Sequence, residues 1–265
     1  MKKFYLTVMA IFKNECHILK EWIEHYIKEG VEHFYLINNG STDNFMKILD
    51  KYKDQITYYD RPKRHIQTEH YRSVIPLIKQ ESEWLLVCDL DEFVFAREDY
   101  KTIPDIIKEF EQSGTTLIYL PWKMFSSNKH IEQPKSVIQG FTDRKHYKDW
   151  EHRSKKWIVK VDYLKHLTIH ICEIFKGNCV DPCNKTPKMY AERLYINEDE
   201  LVKHKLHLNH YAIQSLKWFM KVKMTRGAAD NKDCDGVRTL KYFKEYDQNS
   251  GYSDIILANK KYNLV

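Results

Sequence analysis

Three carboxylates follow directly on an apolar run in "WLLVCDLDEFVF", residues 84–95. Trp84 to Cys88 read as a buried strand, with Asp89, Asp91 and Glu92 at its carboxyl end. An ionised carboxylate is costly to bury unless it is paired or bound to a metal. On an extended chain Asp89 and Asp91 point to the same side, so both can meet one ligand. Hard oxygen donors suit Mg²⁺ or Mn²⁺, ions commonly shared with substrate phosphates. A D-x-D tripeptide alone is weak, and the bland alternative is a strand that ends in a solvated acidic turn. The buried strand before it and Glu92-Phe93 after it favour a metal-facing turn.

The elements that must position these acids alternate along the first half. Residues 4–12 read as a buried strand. Over 15–29, Ile18, Leu19, Trp22, Ile23, Tyr26 and Ile27 recur at helical spacing, and Gly30 follows as a stop. "VEHFYLI" is strand-like and breaks at "NNGSTD", residues 38–43. A second helical pattern covers about 44–53, "ITYY" at 56–59 is a short strand, and 66–80 reads as a helix that Pro76 kinks or ends. A helix over 103–112 and a strand over 115–120 follow. This alternation predicts an open, largely parallel α/β sheet. Ligands of such sheets sit at the carboxyl ends of the strands. Three polar clusters fall there: "KNE" at 13–15, "NNGSTD" and "DLDE" at 89–92.

The second half is less regular. Residues 122–155 read as long polar loops, strand-like runs return at 157–162 and 167–175, "HLNHY" at 207–211 looks like a strand end, and Ser215 caps a helix over roughly 216–225. With no repeat or linker visible, the chain reads as one domain over 1–265, with a nucleotide-type half over about 1–120 and an acceptor half over about 121–265.

Composition narrows the class. With 43% hydrophobic and 30% charged residues, the 265-residue chain has a soluble globular balance. A formal charge of +6 suits an anionic ligand or an acidic membrane surface. Its basic residues are scattered, and the densest cluster, "RPKRH", is short, which argues against nucleic acid. The first apolar run, "FYLTVMAIF", falls far short of the roughly 20 residues of a membrane-crossing helix. Six cysteines do not make a disulfide scaffold, and the expectation is reduced thiols in a cytosol. His166, His170, Cys172, Cys179 and Cys183 could supply zinc ligands, but C-x6-C-x3-C lacks paired knuckles, and ordinary thiols are favoured.

Four motifs in order carry a resemblance: "FKNECHILKEWIEHYIKEGVEHFYLINNGSTDN", "WLLVCDLDEFV", "PWKMFSSNKH" and "LNHYAIQSLKWFMKVKMTRG". The chain resembles the metal-dependent glycosyltransferases of the GT-A fold, close to family 92 within the family 2-like group. One departure is Asn38, where relatives often carry Asp before N-G-S-T-D. The resemblance implies a Rossmann-like nucleotide-binding sheet merged with an acceptor half. It implies transfer of a hexose, galactose as first choice, from a UDP-sugar to a glycan or lipid-linked glycan, with inversion and with Mn²⁺ or Mg²⁺.

Residue by residue, it puts Asn14 and Glu15 beside the nucleotide, and Asn39 and Asp43 at the base and ribose pocket. Gln67 and Arg72 would lie in the helix facing the diphosphate. Asp89 would contact ribose or metal, and Asp91 would bind the metal directly. His210 would be a later metal ligand, with His170 and His207 as competitors. Lys223 and Arg226 could approach the phosphates. The general base is open among Glu151, Glu173 and Asp181, with Glu173 and Asp181 the catalytic candidates beside Asp91.

Two rival classes remain. A sugar nucleotidyltransferase should carry a Gly-rich phosphate loop after the first strand, and "FKNECH" has no glycine. A non-catalytic carbohydrate-binding module would not need polar clusters at three strand ends. The location expected is cytoplasmic, with the basic loop Arg61–Arg64 as a peripheral contact if the acceptor sits in an anionic membrane.

Overall fold

The apolar runs pair side by side, because a run buried on both faces needs a neighbour at each edge and a layer above and below. The computed structural model describes residues 2–248 and 251–263. Nine strands form the main sheet: β1 (Phe4–Phe12), β2 (His33–Asn38), β3 (Ile56–Asp60), β4 (Ser82–Val87), β5 (Glu92–Ala96), β6 (Thr115–Met124), β7 (Lys155–Lys160), β8 (Asn178–Val180) and β9 (Leu206–His210). Their order is β3-β2-β1-β4-β7-β6-β9-β5, with β8 added beside β6. The first four are parallel. β7 runs antiparallel to both β4 and β6. β9 is parallel to β6 and antiparallel to β5. The two halves of the chain therefore share one sheet.

β1 shows how this burial works. Leu6, Val8, Ala10 and Phe12 enter one apolar cluster, and Met9 and Ile11 enter the cluster on the opposite face. Period-two alternation serves two cores here because neither face meets water.

Helix α1 (Cys16–Lys28) covers one face. Its stripe of Ile18, Leu19, Trp22, Ile23 and Tyr26 is wholly buried. It ends where Gly30 takes φ +84°, with an added Cβ only 3.0 Å from the Pro104 ring, so glycine suits the position twice over. Helix α2 (Gln67–Glu81) packs on the other face and passes through Pro76, which sits on its exposed side. A missing N–H there costs less than in a buried turn, and the helix does not end as its proline suggested.

Three expectations need correction. "EFVFA" forms β5, a buried strand the periodicity did not separate from the acidic turn before it. The span 167–175 is not one strand: Leu164–Leu167 and Cys172–Ile174 pair as an antiparallel hairpin. The helix over 44–53 is a single α-turn, Met46–Leu49, followed by a tighter helical stretch, Asp50–Gln55.

α1 also fixes the acidic turn between β4 and β5. The Trp22 indole N–H donates to the carbonyl oxygens of Asp89 (3.1 Å) and Glu92 (3.2 Å). The Tyr26 hydroxyl donates to the Glu92 carbonyl (3.1 Å) and accepts from the Val94 amide (2.9 Å). Two aromatic residues of the apolar stripe thus satisfy backbone groups that a sharp buried turn leaves over. Trp22→Phe keeps most of the packing and strips the donor. It is expected to cost about 1–3 kcal/mol of stability, read as a lower urea midpoint. An unchanged midpoint would show that the indole N–H does not hold the turn.

Candidate functional site

A cleft of about 890 Å³, counted to its open mouth, lies at the carboxyl ends of β1 and β4. Asp89 and Asp91 line it, while Leu90 between them is buried in the apolar core. The alternation expected of a D-x-D segment therefore holds at this turn. Glu15, Asn39 and Gln67 line the donor side, and Trp122, His170 and His210 the opposite wall. The late chain closes the cleft. Ser215 caps a short helix, Leu216–Trp218, through a bond from the Trp218 amide (3.3 Å). A wider π-type turn, Phe219–Lys223, follows. It brings Lys223 and Arg226 to the acids.

Each acid meets a buried cation. Lys223 Nζ lies 2.5 Å from Asp91 Oδ2, and His210 Nε2 lies 3.5 Å from Asp91 Oδ1. Lys156, wholly buried on β7, lies 2.9 Å from Asp89 and 3.5 Å from Glu92. Arg226 pairs with Glu15 at 2.8 Å and donates to the Lys13 carbonyl at 3.2 Å.

The protonation states follow from this packing. Burial pushes the Asp91 carboxyl up, but Lys223 and His210 more than offset it and hold it well below the usual carboxylate range. Burial and Lys156 act in the same opposed way on Asp89, which also stays low. Glu92 has no exposed surface, and burial drives its carboxyl up despite Lys156. Burial pulls Lys223 below its ordinary value against the pull of Asp91. Burial lowers His170 to about 4, with Lys156 adding to the effect, so His170 is a neutral imidazole near pH 7. At the mouth Lys13 is lowered by burial and then by Arg64 and Arg226, the mark of an electropositive rim.

The structure divides the sequence-derived candidates. Glu15, Asn39, Gln67, Asp89, Asp91 and His210 line the cleft together. Asn39 is already engaged, its amide donating to the Arg61 and Lys63 carbonyls at 2.8 and 2.9 Å. Gln67 donates to the Tyr71 hydroxyl at 2.8 Å.

Asn14 and Asp43 are not among the residues lining the cleft. Asn14, at φ +54°, accepts from the Thr42 amide at 2.7 Å and ties the loop after β1 to the N-G-S-T-D turn. Asp43 accepts from the Cys16 amide at 2.9 Å, a carboxylate at the amino end of α1. Asn38 donates to Asp60 (2.8 Å) and accepts from the Ser41 amide (2.8 Å). An ionised Asp at this position could not make the first of these bonds.

Arg72, Glu151, Glu173 and Asp181 lie elsewhere. Arg72 donates to the Leu167 carbonyl at 3.2 and 3.3 Å. Glu151 pairs with Lys145 at 2.9 Å. Glu173 is exposed and pairs with Lys165 at 3.4 Å. Asp181 accepts from the Cys183 and Lys185 amides at 2.8 and 3.0 Å, which shapes its own turn. His207 is buried three residues before His210, its ring 5.5 Å from that of Phe95, and does not line the cleft. Lys156 escaped sequence reasoning. Its signal was a lysine directly before the apolar run "WIV", residues 157–159, where burial demands a carboxylate partner.

The donor set can be tested for a divalent ion. Asp89, Asp91 and His210 offer hard oxygens and an imidazole, a chemistry suited to Mn²⁺. The Nδ1 of His210 is buried and makes no hydrogen bond within the protein. Among the described residues no three His, Cys, Asp or Glu side chains converge as a ready-made metal group. The set fits in kind, and Lys223 now holds the carboxylate that an ion would share.

These features sit on an α/β sheet of GT-A type with its cleft at the strand ends. The chain belongs to glycosyltransferase family 92, whose family profile matches residues 2–239. A family 92 protein of Ricinus communis is 24% identical over 220 residues, covering 80% of this chain and 36% of its own length. Another, of Oryza sativa subsp. japonica, is 23% identical over 112 residues, 41% of this chain and 19% of its own. The chain thus spans about a third or less of the curated relatives it matches.

Among solved structures, residues 1–349 of S. aureus TarS in complex with UDP give a TM-score of 0.40 at 14% identity, over 60% of this chain and 47% of that one. HddC from Yersinia pseudotuberculosis gives 0.39 at 11%, over 76% and 97%. At these scores the likeness is distant.

Lys156→Ala leaves Asp89 and Glu92 facing each other without their cation. It is expected to cost about 3–5 kcal/mol, measured by denaturant unfolding. The pH dependence has a definite sign. Asp89 and Asp91 are held below their ordinary values, so their pairs contribute fully above about pH 4 and lose that contribution as pH falls further. Acid titration of the wild type followed by circular dichroism checks this, and a stability that rises below pH 4 would contradict it.

Proposed function

We propose that the chain transfers a hexose, galactose as first choice, from a UDP-sugar to a hydroxyl of a glycan or lipid-linked glycan. The observation that carries this reading is the cleft itself, where Asp89, Asp91, Lys223 and Arg226 together line a space open at the strand ends. Family membership supports glycosyl transfer as the reaction class.

Breaking a sugar–phosphate bond leaves extra negative charge on the diphosphate and an oxocarbenium-like sugar. Lys223, Arg226 and Lys13 supply positive charge where that anion would develop. Asp91, Asp89 and His210 would hold Mn²⁺ or Mg²⁺, which as a Lewis acid would stabilise the leaving oxygens. Lys223 would then release Asp91 and remain close enough to meet a phosphate. The buried Glu15–Arg226 pair holds the guanidinium among the cleft-lining residues.

Transfer proceeds in this reading by one inverting displacement. Of the carboxylates lining the cleft, Glu15, Asp89 and Asp91 each face a cation. Asp230 is an exposed carboxylate among the cleft-lining residues, and in this reading it takes the acceptor proton.

The reading extends to location. Among the described residues no helix is long and apolar enough to cross a membrane. We place the chain in the cytoplasm, with the exposed loop Arg61–Arg64 as the contact with an anionic bilayer.

A panel of nucleotide sugars, assayed for product release with Mn²⁺ and with or without acceptor, tests the reaction. A UDP-hexose should be turned over, EDTA should abolish turnover, and Mn²⁺ should restore it. Full activity in EDTA would sink the metal assignment, and inertness toward every nucleotide sugar would sink the transferase. Asp91→Asn should lose most activity, since an amide replaces an anionic ligand poorly, and should also lower the urea midpoint because it leaves the buried Lys223 without its carboxylate.

Direct Mn²⁺ binding followed by electron paramagnetic resonance tests the third ligand. His210→Ala should weaken it and His207→Ala should not. If His170→Ala alone weakens it, the imidazole ligand is His170.

A further inference from the structure

A second cavity of about 640 Å³ lies outside the cleft and shares no lining residue with it. Strand β6 separates the two. Trp122 lines the cleft and Pro121, its neighbour, lines the second cavity. Successive strand residues face opposite ways, so one strand serves both spaces.

The lining of this cavity combines three features. The first is an aromatic and apolar surface: Trp150, which is 43% exposed, lies with Pro121, Pro182 and Leu194. The Lys188 ammonium sits over one face of the indole ring, 4.3 Å from its centre, which leaves the opposite face for a ligand.

The second is a set of polar groups that are held in place. Asp181 is locked by the Cys183 and Lys185 amides. Glu200 lies in a helical turn, Glu198–Leu201, capped by Asn197, whose side chain accepts from the Glu200 backbone amide at 2.9 Å. His204 is only 4% exposed, and its Nδ1 makes no hydrogen bond within the protein.

The third is charge balance. Asp181 and Glu200 stand against Lys185 and Lys188, so the cavity favours neither a phosphate nor a cation. Burial also keeps the His204 imidazole neutral, with its pKa near 3.

A ligand for such a surface is uncharged, carries many hydroxyls and has one apolar face. Small-molecule sites share this plan of an apolar, aromatic wall with a few fixed polar groups. We propose that this second cavity is a saccharide-binding subsite for a neutral sugar unit, separate from the cleft. The pyranose C–H face packs on Trp150, and its hydroxyls bond to Asp181, Glu200 and His204. This inference stands apart from the transfer reaction, since binding here needs neither donor nor metal.

Titration of the full chain with lactose, cellobiose and maltotriose, followed by saturation-transfer NMR, tests it, with glucose 1-phosphate as the charged control. At least one neutral sugar should bind in the range of roughly 1–10 mM. Trp150→Ala and Glu200→Gln should each weaken that binding by about tenfold or more, and Asp91→Asn in the cleft should leave it unchanged. Trp150 is partly exposed, so its truncation leaves the core intact, and circular dichroism checks each variant. The proposal is overturned if none of the three sugars binds up to roughly 20 mM. It is equally overturned if Asp91→Asn removes the binding while Trp150→Ala does not, or if glucose 1-phosphate binds in a Trp150-dependent way more tightly than the neutral sugars.

Discussion

The bond between Asp91 and Lys223 joins two parts of the chain that are 132 residues apart. Both groups are buried, and neither would tolerate burial alone. Asp91 ends the turn that α1 holds through Trp22, and Lys223 ends the π-type turn that closes the cleft. The position of the late chain is thereby tied to the early sheet. Lys156 makes the same kind of tie from β7 to Asp89. The site depends on these opposed charges more than on any one loop.

Such pairs carry a tension that suits a binding site. Burial opposes both the acid and the base, and each is kept charged by the other. An anion or a cation that enters can take over one partner and release the second. A well-packed apolar pair would be at least as stable and could not respond in this way.

Much of this was legible in the chain. The run Trp84–Cys88 and the D-x-D spacing located the acidic turn, because alternation is a backbone property that needs no tertiary context. The stripe of α1 was equally clear, although its periodicity showed Trp22 and Tyr26 only as apolar surface and not as donors to the turn. β5 was hidden because a fully buried five-residue strand lacks alternation. Lys156 was hidden because its partners lie 64 and 67 positions away, and no local pattern links them. Glu173 and Asp181 looked available because sequence shows a carboxylate and not its surroundings. The fold gives one to solvent and the other to a turn.

The strand order has a consequence for how the chain matures during synthesis. β3, β2, β1 and β4 emerge first and can pair at once, but β4 meets its next neighbour only when β7 is made, and β5 waits for β9. Domains form amino-terminal part first, at about 5–20 residues per second. For several seconds the nascent chain therefore carries an open apolar edge beside Asp89 and Asp91, a surface prone to wrong pairing. A ribosome-bound chaperone that shields this edge would matter most between the emergence of β4 and that of β7, and slowing translation in that interval would prolong the exposure.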